Sequence, residues 1–229
     1  VASIAIAMPP GAQGQAGGAR KGQILHARCC KIRARRKVNM RDFNNLSPAA
    51  ERIVDVAEDL IQRQGFNGFS YEDIAQAVGI RKPSVHHHFA TKADLATVVT
   101  QRYVQRFSLA LEALDRAGAE PRERLMAYAQ LFQATYEQNR RMCLCGMLGA
   151  ESETLPEPVR QELQRFFEIN LAWLTVVLDK ARAPEAPDAS QLALLLLSAL
   201  EGSMIVGRTP PVEAAPLQVT GAFLALWAG

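Results

Sequence analysis

From Ser47 onward, apolar residues recur at intervals of three and four, the spacing that gathers them on one face of an α-helix, and no stretch alternates apolar and polar residues for long as a half-buried strand would. The chain therefore reads as all-α. Ser47 followed by Pro48 is an N-cap with proline in the first helical turn, and Ile53, Val56, Ala57, Leu60 and Ile61 then share a face, giving a first helix that ends near Gly65. Ser70 with Asp73 has capping-box spacing and opens a short helix through Tyr71, Ile74, Ala75 and Val78 that stops at Gly79. A third helix is expected from Lys82 to about Phe89. Thr91 with Asp94 repeats the capping-box spacing ahead of a long helix carrying Leu95, Val99, Tyr103, Phe107 and Leu111 and ending near Gly118.

After Pro121 the helical period continues through Leu125, Tyr128, Ala129, Phe132 and Tyr136, then through a short segment from Met142 to about Glu153. Pro156 and Pro158 precede a long helix with Val159, Leu163, Phe166, Asn170, Leu174 and Leu178 in register, closed by the Pro-rich stretch at 183–187. Asp188 with Gln191 is expected to cap the next helix, about 189–207. Leucines stand nearly all round it, so it must be covered on more than one side. That circumference predicts a homodimer in which the last two helices pair across a two-fold axis, and Leu196 and Leu200 are the positions expected to matter for assembly. A final helix runs from about Pro216 to Trp227.

Composition narrows the class. With 48% apolar and 21% charged residues and no uninterrupted apolar run of membrane-spanning length, the chain is expected to be a soluble cytoplasmic protein with no membrane partner. Net charge is +3, but eight Lys and Arg and no acid lie within residues 1–40, so the remainder is acidic. Nucleic-acid binding must then rest on a few placed cations, not on bulk charge. Residues 1–46 mix Gly, Ala, Gln and Pro with the basic run and show no sustained period, which suggests a disordered extension; Met40 is an alternative natural start. The apolar start lacks a basic region ahead of it and fits a signal peptide poorly. The four cysteines, an adjacent Cys29–Cys30 pair and Cys143-Leu-Cys145, suit neither a zinc ribbon nor a secreted disulfide framework.

Two short helices joined at Val78-Gly79-Ile80 have the spacing of a helix-turn-helix, whose second helix would present Arg81, Lys82, Ser84, His86 and His87 to a DNA major groove. Alone this pattern also fits a plain helical turn. Residues 51–103, however, resemble the DNA-binding segment of the TetR (tetracycline-repressor) family through Ala57 and Leu60, Gly65-Phe66, Phe69-Ser70, Asp73-Ile74-Ala75, Val78-Gly79-Ile80, Ser84-Val85, His88-Phe89 and Lys92-Ala93-Asp94-Leu95. The family usually has Tyr where His86 stands. Lys92 matches the lysine that opens the family's fourth helix and holds a backbone phosphate, and residues 96–229 fit by helix number, length and order. The resemblance implies a sequence-specific transcriptional regulator, a ligand-responsive repressor acting as a homodimer on a palindromic operator. Its reading domain would occupy 47–95 and its sensing and dimerisation domain 96–229.

Three clusters admit a second reading. His86-His87-His88 invites a metal, but consecutive helical residues point about 100° apart and helical metal pairs need wider spacing, so no metal and no cofactor are expected. Cys143 and Cys145 are either two small buried side chains or, with Arg140 and Arg141 beside them near a helix start, thiols of lowered pKa; Cys143-Leu-Cys-Gly-Met-Leu also resembles a segment in a subgroup of TetR-like regulators. Phe166, Phe167 and Trp173 are either core or the wall of a pocket. On the second reading a small apolar or electrophilic effector is lined by Tyr103, Phe107, Phe132, Tyr136, Phe167 and Trp173 with Cys143 and Cys145 nearby. The rival classes are an all-helical enzyme, for which no acid-base or nucleophile constellation and no phosphate loop is offered, and a helical interaction protein that does not bind DNA.

Overall fold

The computed structural model describes residues 46–138, 140–180, 186–209 and 211–227. The expectations for residues 1–45, including the basic run, Cys29, Cys30 and Met40, lie outside it. Among the described residues there are nine α-helices and no strand: α1 Pro48–Gln64, α2 Tyr71–Val78, α3 Lys82–His88, α4 Lys92–Arg116, α5 Pro121–Glu137, α6 Leu144–Ala150, α7 Glu157–Asp179, α8 Ala189–Val206 and α9 Ala215–Trp227. A 3-10 turn at Ser152–Thr154 follows α6.

The local signals act as read. Ser47 Oγ accepts the Ala50 N–H at 3.2 Å, and Pro48 stands in the first turn of α1. Ser70 with Asp73 and Thr91 with Asp94 form reciprocal capping boxes at α2 and α4. Gly79 ends α2 in the left-handed region (φ 77°, ψ 34°), the conformation that lets the chain turn at once into α3 without a Cβ clash. As expected, Asp188 caps α8, its side chain accepting the Ser190 N–H at 2.8 Å, while the Gln191 N–H bonds to the Asp188 carbonyl.

Helices α1 to α3 pack around Ile53, Val54, Ala57, Ile61, Ile74 and Val85, all sealed from solvent. The Tyr71 hydroxyl donates to the Phe89 carbonyl at 3.1 Å, joining the start of α2 to the end of α3. Helix α4 extends from this unit into the second. Arg102 on α4 reaches back to Asp55 (2.6 Å) and Glu58 (3.1 Å) on α1, and Arg106 also pairs with Glu58. The larger unit packs α7 on α4 and α8, and α9 on α5 and α8.

Helix α8 buries Leu192, Leu196, Leu197, Leu200 and Met204. Leu196 and Leu200 thus belong wholly to the chain's own core, whereas Leu194 and Leu195 are each 57% exposed. By length and composition α8 is the one helix among the described residues apolar enough to cross a membrane. Its inner face packs instead on α7 and α9, and Gln191, Ser198, Glu201 and Ser203 interrupt its apolar surface.

Candidate nucleic-acid interface and sensor core

Helix α3 is fixed by one inward side chain, Val85, with Phe89 just beyond its end, while Arg81, Lys82, Ser84, His86 and His87 are all exposed. The five expected reading residues therefore stand together on the solvent side of one short helix. The His86 ring meets Tyr71 edge-on at 4.6 Å, and its Nδ1 lies 3.3 Å from the Ala90 carbonyl; His87 and His88 face each other at 5.6 Å. His86 thus contacts Tyr71, whereas His87 and His88 contact each other.

Lys92 is placed differently from the other five. Its ammonium donates to the Phe69 carbonyl and lies 4.1 Å and 4.9 Å from the ring centres of Phe69 and Phe66. Partial burial lowers its pKa, opposed by the carboxylates of Glu151 and Asp73. An ammonium carries three N–H donors, so the Phe69 bond leaves others for a phosphate.

The expected effector residues fall into three places. Tyr103, Phe107 and Phe132 interlock with Phe166 and Tyr128, Phe107 meeting Phe166 at 5.0 Å and Phe132 at 5.7 Å, while Trp173 stacks on Tyr128 at 5.3 Å. Around Phe107 these rings meet edge to face, an arrangement their quadrupoles favour, and they fill the interior. Tyr136 stands apart, its hydroxyl directed at the carbonyls of Gly207 (2.5 Å) and Val212 (2.9 Å), on an open cleft of about 670 Å³ shared with Gln133, Glu137, Arg140 and Glu213. Phe167 borders another cleft, of about 530 Å³, with Arg160, Leu163 and Gln164. Tyr128, which reads in the sequence only as an apolar member of a helix face, and Phe166, read there as core or pocket wall, are the centre of the cluster. Tyr128 donates to Asn170 Oδ1 at 2.7 Å, and Asn170 Nδ2 donates to the Phe166 carbonyl at 2.8 Å.

Cys143 and Cys145 are both reduced and fully buried. Of the two readings of this pair, that of small buried side chains holds, and the lowering of pKa by Arg140 and Arg141 does not. Arg141 is drawn to Asp59 at 2.5 Å and Gln138 at 3.1 Å, and Arg140 is exposed. Burial pushes both thiols well up, reinforced at Cys143 by Glu201 and at Cys145 by Cys143 and Glu201. Glu201 itself was missed by sequence reasoning, although it is the single charged residue of α8. Both its carboxylate oxygens are cut off from solvent without a well-formed hydrogen bond, and burial raises its pKa to about 7.

Helix α6 joins the two units. At its head Arg141 pairs with Asp59 and the Met142 N–H reaches the Gln62 carbonyl at 3.4 Å. Past its tail the Glu151 carboxylate accepts the N–H groups of Phe66 (2.5 Å) and Asn67 (3.2 Å), and Asn67 Nδ2 donates to Glu151 (3.2 Å) and Thr154 (2.9 Å). Gly65 turns this corner with φ 78°, and a Cβ there would come within 2.7 Å of the Glu151 carboxylate.

Residues 53–99, covering most of α1 to the first two turns of α4, match the family model described as bacterial regulatory proteins, tetR family. A TetR-family transcriptional regulator from Agrobacterium tumefaciens superposes with a TM-score of 0.72 at 32% identity, covering 78% of this chain and 97% of that one. A TetR transcriptional regulator from Legionella pneumophila gives 0.71 at 29% identity, over 80% and 99%. The HTH-type transcriptional repressor DhaR of Mycobacterium sp. (strain GP1) is 28% identical over 123 residues, 53% of this chain and 61% of that repressor, so the chain spans about three fifths of that relative.

Proposed function

The chain belongs to the TetR family of bacterial transcriptional regulators, and we propose that it acts as a homodimeric, ligand-responsive repressor of a palindromic operator, reading DNA through residues 47–95 and sensing and dimerising through 96–229. The observation that carries this reading is α3, a helix anchored by Val85 alone whose remaining residues from Lys82 to His87 face outward with Arg81. Laid in a major groove, Lys82, Ser84 and His87 meet base edges, while Arg81, His86 and Lys92 meet phosphates. The residues beyond 40 are acidic in sum, and DNA binding in this way rests on a few local cations. The work is DNA reading in the cytoplasm, with no catalytic step.

The apolar side chains exposed on α8 and α9, among them Leu194, Leu195 and Leu226, support pairing of these helices with a second copy. Two reading heads then address two half-sites, and their spacing decides affinity. A small apolar or electrophilic effector acting in the core around Tyr103, Phe107 and Phe132 shifts the population toward a form whose heads are badly spaced. Helix α6, tied at both ends to α1 and the corner after it, is the physical route between core and reader.

Fluorescence anisotropy with duplexes from the DNA upstream of the gene tests the reading. Lys92→Ala is expected to weaken all sequences alike and reduce the salt slope by about 1, whereas Lys82→Ala, Ser84→Ala or His87→Ala changes base preference. Unchanged affinity with all six reading residues replaced would overturn the assignment.

A further inference from the structure

Cys143, at the head of α6, and Glu201, on α8, meet in the interior beside Tyr103 of α4. The Tyr103 hydroxyl donates to Cys143 Sγ at 3.5 Å, and the thiol is the hydrogen-bonding group that faces the Glu201 carboxylate. Gly146, three residues beyond Cys143, presents its bare Cα to this carboxylate, and a Cβ there would overlap Glu201 Oε2. A carboxylate buried without a counter-charge or a full set of donors is costly, and an apolar residue at this point of an otherwise uncharged helix would serve packing better. What the carboxylate gains here is a thiol within reach and a glycine that leaves it room.

We propose that Cys143 and Glu201 form a covalent modification site for soft carbon electrophiles of the α,β-unsaturated carbonyl class, with Glu201 taking the thiol proton and returning it. The sulfur electron pair forms a bond to the β-carbon as the S–H proton passes to the carboxylate. The C=C π pair moves onto the α-carbon, which then takes the proton from the Glu201 carboxyl. The product is a thioether and the original carboxylate, with no proton left over and no oxidant or reductant consumed. An addition of this kind suits a closed site with one carboxyl, whereas a displacement would leave an acid behind in the core. The neighbours Tyr103, Tyr128 and Phe166 favour a compact, apolar reagent.

The titratable groups acting on this cluster are Tyr103 from α4, Tyr128 from α5, Cys143 at the head of α6, Cys145 within it and Glu201 from α8, with Glu58 of α1 and Glu162 of α7 acting on Cys145. Burial drives the two phenols and both thiols well above their ordinary values, while Glu201, at about 7, is present in both forms near neutrality, as a group that first accepts and then donates must be. The thiol reacts by transfer to Glu201, not as a free thiolate. The consequence for DNA rests on the regulator reading above: an adduct at the head of α6 displaces the helix whose far end holds Phe66 and Asn67 through Glu151.

The test uses the full chain carrying Cys29→Ser and Cys30→Ser, treated with 2-cyclohexen-1-one and followed by mass spectrometry of the intact protein and its peptides between pH 5 and 9. One adduct on Cys143 is expected, its rate rising to a plateau above about pH 7. Glu201→Gln and, independently, Gly146→Ala are expected to slow it at least about tenfold. A Glu201→Gln rate equal to or above the parent's, or modification of Cys145 in place of Cys143, would overturn the proposal. So would a parent rate that climbs about tenfold per pH unit through pH 9, as simple thiol ionisation gives; this needs no variant and decides the matter even if both variants unfold. DNA binding of the untreated protein is measured separately. Its absence defeats the regulator reading while the adduct kinetics still judge the site, and an adduct that leaves DNA bound overturns the coupling through α6.

Discussion

The carboxylate of Glu151, beyond the end of α6, caps the backbone N–H of Phe66 at the corner between α1 and α2, 85 residues away in sequence. The next amide, that of Asn67, bonds to the same group. A carboxylate accepting two amides is a charge-assisted clamp, and it ties a corner of the reading unit to the tail of a helix whose head sits in the sensor core. Replacing Glu151 with Ala is expected to cost about 1 to 3 kcal/mol of stability and to speed amide exchange at Phe66 and Asn67 before that of the α1 core. Hydrogen exchange read residue by residue checks this; unchanged protection at those two amides would show that the clamp does not hold the corner.

The dimer prediction separates neighbours on one helix. Leu194 and Leu195 are exposed, whereas Leu196 and Leu200 have no exposed surface. Leu194→Glu combined with Leu195→Glu should give a folded monomer with near-parent thermal stability, because neither side chain supports the protomer core. Leu196→Glu should unfold the protomer, at a cost above about 3 kcal/mol for a charge forced into apolar packing. Sedimentation velocity with a parallel thermal melt distinguishes the two, and a double variant that remains dimeric would move the interface elsewhere.

Glu201 makes stability depend on pH. Its pKa rises from 4.5 in the unfolded chain to about 7 in the folded one, so folding retains a proton that the unfolded chain has already lost between these values. The sign follows: its contribution is greatest below pH 4.5, declines as pH rises toward about 7, and is level above it. The decline is about 3 kcal/mol. Glu201→Gln should remove that part of the curve. Urea unfolding at several pH values in both proteins measures it, and parallel curves would contradict the assignment.

Much of the fold was legible because its signals are local. Ser47, Ser70, Thr91 and Gly79 each act within a few residues of themselves, so capping chemistry located the helix ends. The outward face of α3 was legible for the same reason, since a short helix with one apolar residue between polar ones has one way to pack. What escaped depends on partners distant in sequence. The rotation of α8 that buries Leu196 and exposes Leu195 is set by α7 and α9, and a nearly uniform apolar helix carries no stripe to declare it. Arg141 next to Cys143 suggested an activated thiol, yet Asp59, far back on α1, claims the guanidinium. Glu201 and Glu151 each found their role across the chain, with only the oddity of a lone charge in α8 to mark the first.

The central claim, that α3 reads operator DNA as part of a two-fold dimer, is tested most directly by mixing the purified protein with a random duplex library, recovering the bound fragments and sequencing them. The account predicts enrichment of one palindromic motif with half-sites about one helical turn, or a multiple of it, apart, and loss or change of its base preference when Lys82, Ser84 and His87 are replaced by Ala. Recovery of fragments with no common motif, or of the same motif by the triple variant, would contradict it.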